Sequence, residues 1–445
     1  MIYFIYLLFF VLLLLWSLFL AAPGGVGRNI LSPGFLFSLV YGVGFFLLPC
    51  FSLYYGVYRF ADEYSFDAYL EAGLFCFLFG LMVLGAYVLF SGRRSYLCWQ
   101  RADFARYRPL SVLQIWIVVV ISGVLVLAGA VPFFLLLIEH GASSYASNRI
   151  ALGQGLGYFV LLLNTGLVGF SIVTANIMLR TARVAFFEKF AFLVVLGIAV
   201  LPGVLLFSRM RFLFPFVILV ILWVMLKKRG ILRAKVIIRM AVYALVFLFF
   251  GLMLGSVRES FMADKALDDN SPDISKHVVA AYGNQEILLW LSSNNHDFLL
   301  GKTFFAAALG MVPRSFWPDK PLGGGPELRN MIYPGSYDLE SGSNLTSYTT
   351  GLPVESYMNF GWFGVFVGLL YGAGLAAISR LLIWAKSPVA LGVLAVILFQ
   401  TVFICFSEFF GWLMHVYSAV VPAIFLWILL SLLRSGRSNH KIKLS

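Results

Sequence analysis

About eleven apolar runs divide the chain, and each has roughly the length that a helix needs to cross a bilayer. The runs are continuous rather than alternating, which favours helices over a barrel. They cover residues 2–21, 34–57, 70–91, 111–138, 157–179, 190–208, 212–226, 240–255, 354–378, 388–407 and 416–433. Only 12% of the 445 residues are charged, about half the share found in soluble domains. The sequence therefore predicts an all-α polytopic membrane protein with about 11 transmembrane helices, the first of them uncleaved.

The basic residues are distributed unequally between the two sides that this topology defines. Most of the 32 Lys and Arg residues fall on one set of short loops, above all 92–110 and 227–239, and in the C-terminal tail. Because short cytoplasmic loops are enriched in Lys and Arg, the N-terminus is predicted outside and the C-terminus in the cytoplasm. The net charge of +12 then reflects topology, and no nucleic-acid partner is predicted.

One long polar segment, residues 256–350, separates the first eight runs from the last three. The predicted division is therefore an N-terminal transmembrane part (1–255), a large outer loop or cap (256–350) and a C-terminal transmembrane part with a cytoplasmic tail (351–445). Residues 276–291 and 303–312 are predicted to form short helices within the loop. The Pro-, Gly- and Tyr-rich remainder is predicted to be a flexible lip.

A group of cations is predicted on the outer face, although they come from four separate segments. One of these segments is a predicted short loop in which Arg149 follows SSYASN. Guanidinium groups offer a planar, permanently charged fork that suits phosphate oxygens, so convergence of these residues would form an anion site. Taken singly, each could instead be an interfacial cation with its stem along the bilayer. The group consists of Arg149, Arg209, Arg211, Arg258, Arg314 and Lys320.

Two acidic residues, Glu355 and Glu408, lie at the outer ends of late spans. Charges near membrane depth are costly, which makes both residues candidates for a functional role. The alternative is that both simply face outer water at a helix end. The histidines have no metal-like spacing with one another or with cysteine, so no metal site is predicted.

Three segments carry a resemblance to a known family. They are SSYASNRIALGQG (143–155), SRMRFLFPF (208–216), and VPRSFWPDKPLGGG (312–325) with PVESYMNFGWFG (353–364). With the topology, they resemble the bacterial oligosaccharide repeat-unit polymerases, the Wzy-type O-antigen polymerases. The resemblance implies a GT-C-like glycosyltransferase of the bacterial inner membrane, acting on the periplasmic face in lipopolysaccharide or other surface-polysaccharide biosynthesis. Such an enzyme transfers a growing glycan from undecaprenyl pyrophosphate to the next lipid-linked unit.

The resemblance also implies roles for individual residues. The six outer cations would bind the pyrophosphate of the lipid-linked oligosaccharide without a metal or other cofactor. Glu355 is the first choice for the base that accepts the proton of the attacking hydroxyl, with His296 and Glu408 as alternatives. The glycine run 323–325 would be a hinge for the lip. Sugar-binding roles fall to Trp317, Tyr333 and Asn359, although such rings could instead anchor the loop at the headgroups.

Other functions share much of this pattern. An O-antigen ligase uses the same donor with a different acceptor, and a flippase for lipid-linked oligosaccharides would perform no chemistry. A structural envelope subunit is a third alternative. Charges gathered at outer helix ends and in one loop favour chemistry at the outer surface. Predicted partners are the lipid-linked oligosaccharide and membrane lipids, with a Wzz-type chain-length regulator as a further candidate.

Overall fold

The computed structural model describes residues 1–21, 32–56, 58, 60–61, 63–91, 109–153, 155–180, 184–226, 284–312, 316–337, 348–385 and 387–442, and the regular structure within them is entirely helical. The helices, in chain order, are α1 (Ile2–Ala21), α2 (Pro33–Gly42), α3 (Leu48–Tyr55), α4 (Phe66–Ser91), α5 (Val112–Leu152), α6 (Gly157–Leu179), α7 (Phe186–Leu205), α8 (Arg209–Leu226), α9 (Asn284–Ser293), α10 (Lys302–Ala308), α11 (Gly324–Ile332), α12 (Leu352–Phe360), α13 (Val367–Trp384), α14 (Pro388–Val402) and α15 (Phe409–Ile442). A π-helical turn joins α2 to α3, and 3-10 turns follow α12 and α14.

Eight helical stretches in the described residues are long and apolar enough to cross a membrane. They are Pro33–Tyr55, Phe66–Ser91, Val112–Ala142, Gly157–Leu179, Phe186–Leu205, Leu352–Leu382, Pro388–Phe406 and Phe409–Ser431. Two further apolar helices, Ile2–Leu18 and Arg211–Leu226, are shorter. The predicted span 240–255 lies outside the described residues. The prediction of an all-α polytopic membrane protein is confirmed.

Helix α5 changes direction at Gly141, whose φ of 72° and ψ of 161° are not helical. The membrane-crossing part of the helix ends there, and the chain beyond it is again helical up to Leu152. The segment that carries Arg149 was predicted to be a short loop, and this prediction is wrong. A glycine at position 141 allows the helix to break once and then continue.

The chain forms two compact units, and each combines separate parts of the sequence. The first unit contains Met1–Cys98, Asp268–Arg380 and Gln400–Met414. The second contains Trp99–Leu267, Leu381–Phe399 and His415–Ser445. The predicted division at residues 255 and 350 followed chain order, whereas these units join segments that are distant along the chain.

The described part of the outer loop belongs to the first unit. Helix α9 packs on α4 and α12 through apolar side chains that include Ile287 and Leu288, both fully buried. Of the helix predicted at 276–291, only the second half lies within the described residues, and it is helical from Asn284 onward. Helix α10 is shorter than the predicted 303–312, because the chain leaves the helix at Leu309. The lip predicted to be flexible contains a regular helix, α11.

The second unit is built around helices α5 to α8, whose small residues allow close packing. A side chain at Gly166 would collide with the carbonyl of Ile198, which brings α6 against α7. A buried ion pair joins Arg180 to Glu188 at 2.6 Å, and the same guanidinium donates to the Leu110 carbonyl. Because Glu188 is fully buried, this pairing offsets the cost of removing its charge from water.

Candidate functional site

Helix α12 carries Glu355 and lies entirely inside the first unit. Residues 352–359 are all buried, although the helix is only nine residues long. It begins after Gly351, which has a φ of 72°, and a side chain there would collide with the Cys405 carbonyl. It ends at Gly361, where a side chain would press on Phe298. Glycine at both ends therefore fixes this helix against its neighbours.

The Glu355 carboxylate is fully buried and only half satisfied. Its Oε2 accepts the backbone N–H of Phe409 at 2.7 Å. Its Oε1 accepts no hydrogen bond of ordinary geometry among the described residues, although the Thr303 hydroxyl interacts with the carboxylate. This oxygen faces Gly324, where a Cβ atom would lie 2.9 Å from the Glu355 carboxyl carbon. The alternative in which Glu355 faces outer water is therefore wrong. A buried carboxylate oxygen without a partner costs stability, which marks this group as a candidate for function.

Glu408 contacts the same glycine run. Its Oε2 accepts the backbone N–H of Gly325 at 2.7 Å, at the N-terminus of α11. The free N–H groups at a helix N-terminus favour negative charge, so this contact stabilises both partners. The two carboxylates therefore bind neighbouring parts of the chain. Glu355 accepts a hydrogen bond from Phe409, the residue that follows Glu408. Glu408 accepts one from Gly325, the residue that follows Gly324. We call Glu355 and Glu408 the carboxylate pair.

Burial raises the pKa of the Glu408 carboxyl above its ordinary value, and the hydrogen bond from Gly325 opposes part of the rise. The folded state therefore binds more protons than the unfolded state at pH values between the two pKa values. The contribution of Glu408 to stability is complete below its ordinary pKa and is lost as the pH rises through the raised pKa.

We expect wild-type protein to lose more thermal stability than Glu408→Gln as the pH rises through this window, because glutamine keeps an oxygen for Gly325 and cannot ionise. Unfolding temperatures in detergent across a pH series measure the difference. Parallel curves for the two proteins would contradict the raised pKa.

Asn359 has a positioning role beside Glu355, because its side-chain hydrogen bonds are made within the protein. Its Nδ2 donates to the Thr303 hydroxyl at 2.8 Å and to the Glu355 carbonyl at 2.7 Å, and its Oδ1 accepts the Gly301 N–H at 3.0 Å. The side chain is fully buried, and both of its N–H groups are used within the protein. Asn359 therefore joins α10 to the helix that carries Glu355, and its sugar-binding role stays a prediction.

We expect Asn359→Ala to destabilise the first unit by about 1–3 kcal/mol, because it leaves buried donors and acceptors without partners. Thermal unfolding in detergent measures the loss. Asn294→Ala is the matched control, since the exposed Asn294 makes a local hydrogen bond to the Trp290 carbonyl. Equal losses for the two variants would contradict the positioning role.

Lys320 is directed into the protein and is only 8% exposed. Its ammonium group donates to the carbonyls of Gly310 at 2.8 Å and Val312 at 3.1 Å, and it lies 5.6 Å from the centre of the Phe410 ring. These contacts hold the turn that follows α10. These contacts give Lys320 a structural role, and its pyrophosphate-binding role stays a prediction.

The other predicted base, His296, lies on a different side of α12. Its ring contacts Phe298 and Tyr357, with centroid distances of 5.3 Å and 6.3 Å. Residues two apart on a helix point in nearly opposite directions, so Tyr357 and Glu355 face different neighbours. The structure therefore separates His296 from the carboxylate pair. Of the two alternatives to Glu355 as the base, only Glu408 lies beside it.

The two aromatic residues predicted to bind sugar belong to the first unit, and both are at least partly exposed. Trp317 is partly exposed and packs edge-on against Phe305 of α10, with ring centroids 6.2 Å apart. Tyr333 follows α11 and is 46% exposed. Both rings are accessible to a ligand, and their sugar-binding role stays a prediction.

The predicted cluster of arginines falls largely outside the described part of the chain. Arg258 and Arg314 lie outside the described residues, and the side chains of Arg149 and Arg209 do as well. Arg211 is described and belongs to the second unit, where it interacts electrostatically with His415. The predicted convergence of these cations on one anion site stays a prediction.

The sequence did not predict several polar contacts that the fold creates. In the second unit, the Asn164 amide lies 3.3 Å from the His415 ring. In the first, Glu71 accepts hydrogen bonds from the Tyr357 hydroxyl at 3.0 Å and the Trp362 indole at 3.2 Å. These partners are far apart along the chain, so spacing gave no signal. Within the described ranges, no three His, Cys, Asp or Glu residues are placed to hold a metal ion.

Comparison of the chain with protein-family models, with curated proteins and with solved structures gave no match.

Proposed function

We propose that the protein is a membrane glycosyltransferase that polymerises undecaprenyl-pyrophosphate-linked oligosaccharide units. It would act in the bacterial inner membrane with its site facing the periplasm, as a GT-C-like enzyme of about eleven spans. The observation that carries this proposal is the carboxylate pair, in which the buried Glu355 keeps one oxygen without a hydrogen bond of ordinary geometry among the described residues. The resemblance of the surrounding segments to Wzy-type polymerases supports the choice of substrate.

The reaction needs a group that accepts a proton from the attacking sugar hydroxyl, and Glu355 can provide it through Oε1. The hydroxyl oxygen would form a bond to the anomeric carbon of the donor glycan as the bond to the pyrophosphate breaks. Undecaprenyl pyrophosphate would leave with the negative charge, which Arg258, Arg314 and the other outer arginines would stabilise. Glu355 would then release its proton to water.

Access to Glu355 requires movement of the glycine run, because Gly324 covers Oε1. The hydrogen bond between Gly325 and Glu408 holds this cover closed in the structure. Displacement of the first turn of α11 would expose the free oxygen to the acceptor hydroxyl. Residues 323–325, predicted to be a hinge, would then act by moving the first turn of α11. The hydrogen bond from Gly325 to Glu408 would hold this turn in the closed position.

The lipid-linked intermediate that accumulates in a host strain lacking the gene distinguishes the candidate functions. A polymerase deletion should accumulate single repeat units on undecaprenyl pyrophosphate, exposed to the periplasm, and wild-type gene should restore the polymer. Accumulation of lipid-linked polymer would instead identify a ligase. Accumulation of single units on the cytoplasmic leaflet would identify a flippase, and either of these results would overturn the proposal.

A further inference from the structure

A small cavity in the first unit lies between α3, α4 and α9, and neither member of the carboxylate pair lines it. Its walls include the polar side chains of Ser52, Tyr58, Tyr69, Gln285 and Glu286. Its volume of about 10 Å³ is room for a single water-sized group. Whatever enters this cavity is therefore one polar group of a larger molecule, or water.

The Gln285 side chain lines this cavity and has one buried atom without a partner. Gln285 is 1% exposed, and its Nε2 donates to the Tyr6 hydroxyl. The Tyr6 hydroxyl itself donates to the Tyr69 carbonyl at 2.8 Å, so its oxygen can only accept, which fixes the orientation of the amide. The Gln285 Oε1 has no hydrogen-bond partner among the described residues. The cavity therefore offers a buried acceptor that requires a donor.

The two phenols that line the cavity supply the complementary donor. The Tyr69 hydroxyl donates to the Tyr58 hydroxyl at 2.8 Å. The Tyr69 proton is used in this bond, and the Tyr58 proton stays available for a ligand. The cavity thus needs a group that donates to Gln285 and accepts from a phenol within the space of one water molecule. An ammonium group cannot accept from the phenol, and an ionised carboxylate cannot donate to Gln285 and would also face the Glu286 carboxylate, so the matching group is the hydroxyl of an alcohol or a water molecule.

We propose that this cavity is a subsite for one hydroxyl of a carbohydrate, the sugar part of the lipid-linked oligosaccharide. The choice of a sugar as the source of the hydroxyl rests on the proposed function. The position supports it, because α9 packs directly on α12 and the Asn284 amide lies beside Gly351 at the start of that helix. A sugar held through Gln285 would be bound to the helix next to the one that carries Glu355, and Tyr58 offers a ring for its apolar face.

Binding to full-length protein in phosphatidylcholine nanodiscs tests the subsite, because this lipid carries no hydroxyl headgroup. The probes are the host strain's lipid-linked oligosaccharide and bare undecaprenyl pyrophosphate. Gln285→Met and Tyr58→Phe are expected to weaken binding of the glycosylated lipid about tenfold, since each removes a hydrogen bond to a buried group. Binding of the bare lipid should change by less than about twofold. Tyr41→Phe is the matched control, because its hydroxyl donates to the Cys76 carbonyl away from the cavity.

Unchanged binding of the glycosylated lipid in both variants would show that the cavity holds only water and would overturn the proposal. Equal weakening of binding for both lipids would overturn it as well, because the subsite would then not distinguish the glycosylated lipid from the bare one. Competition by added phosphatidylglycerol that Gln285→Met abolishes would assign the cavity to a lipid headgroup instead. If the variants lose sugar-dependent binding but wild-type protein forms no polymer, the subsite stands and the polymerase proposal fails.

Discussion

Glu355→Gln is expected to slow glycan polymerisation by about 10²–10⁴-fold, the usual effect of losing a general base. Glutamine has nearly the same shape and keeps an oxygen for the Phe409 N–H, but its amide cannot accept a proton from a hydroxyl. The unfolding temperature should stay the same or rise, because the substitution removes a charged group from a fully buried position. The rate at which multimers of the repeat unit appear, measured beside thermal unfolding, gives both values.

Glu139→Gln is the control for this experiment, since the Glu139 side chain is 71% exposed and belongs to the second unit. It should leave both the rate and the unfolding temperature unchanged. Retained activity in Glu355→Gln would remove Glu355 from the mechanism. A fall in activity that only follows a fall in unfolding temperature would make Glu355 a structural residue.

Gly324→Ala is expected to reduce the polymerisation rate by about 10²-fold, the effect of misplacing a catalytic group by roughly 1 Å. The added Cβ would lie 2.9 Å from the Glu355 carboxyl carbon, so either the carboxylate or the start of α11 must move. Movement of the carboxylate disturbs its hydrogen bond with the Phe409 N–H, and movement of α11 disturbs the hydrogen bond between Gly325 and Glu408. Initial rates of multimer formation measure the effect, with binding of the lipid-linked substrate measured in parallel.

Gly374→Ala is the matched control, because it lies in α13 with no atom within 4 Å of the added Cβ. Alanine in a helix interior is more favourable than glycine by up to about 1 kcal/mol, so this variant should be active and slightly more stable. If Gly324→Ala matches Gly374→Ala in rate and stability, then Gly324 is not the cover of Glu355.

The membrane class could be predicted from the sequence because a span depends on local properties. Each run of apolar side chains must be buried in lipid or protein, and its length fits a bilayer wherever it lies in the chain. The boundaries were less accurate where a glycine changes the backbone direction. Gly141 shows this, because the chain beyond it is helical and was predicted to be a loop.

The candidate site could be predicted only as a set of residue types. Glu355 and Glu408 were identified because acidic residues near membrane depth are rare, but their contacts depend on distant parts of the chain. Gly325 and Glu408, for example, are 83 residues apart in sequence and still form a hydrogen bond. For the same reason, Lys320 and Asn359 were predicted to face a ligand, whereas the fold provides them with partners inside the protein.

Reconstitution of purified protein with a defined substrate tests the central claim most directly. Wild-type protein in nanodiscs is incubated with the host strain's undecaprenyl-pyrophosphate repeat units, and the products are separated on a gel. The account predicts a ladder of multimers that wild-type protein forms and Glu355→Gln does not. Single repeat units that remain unchanged with folded, substrate-binding wild-type protein would contradict it.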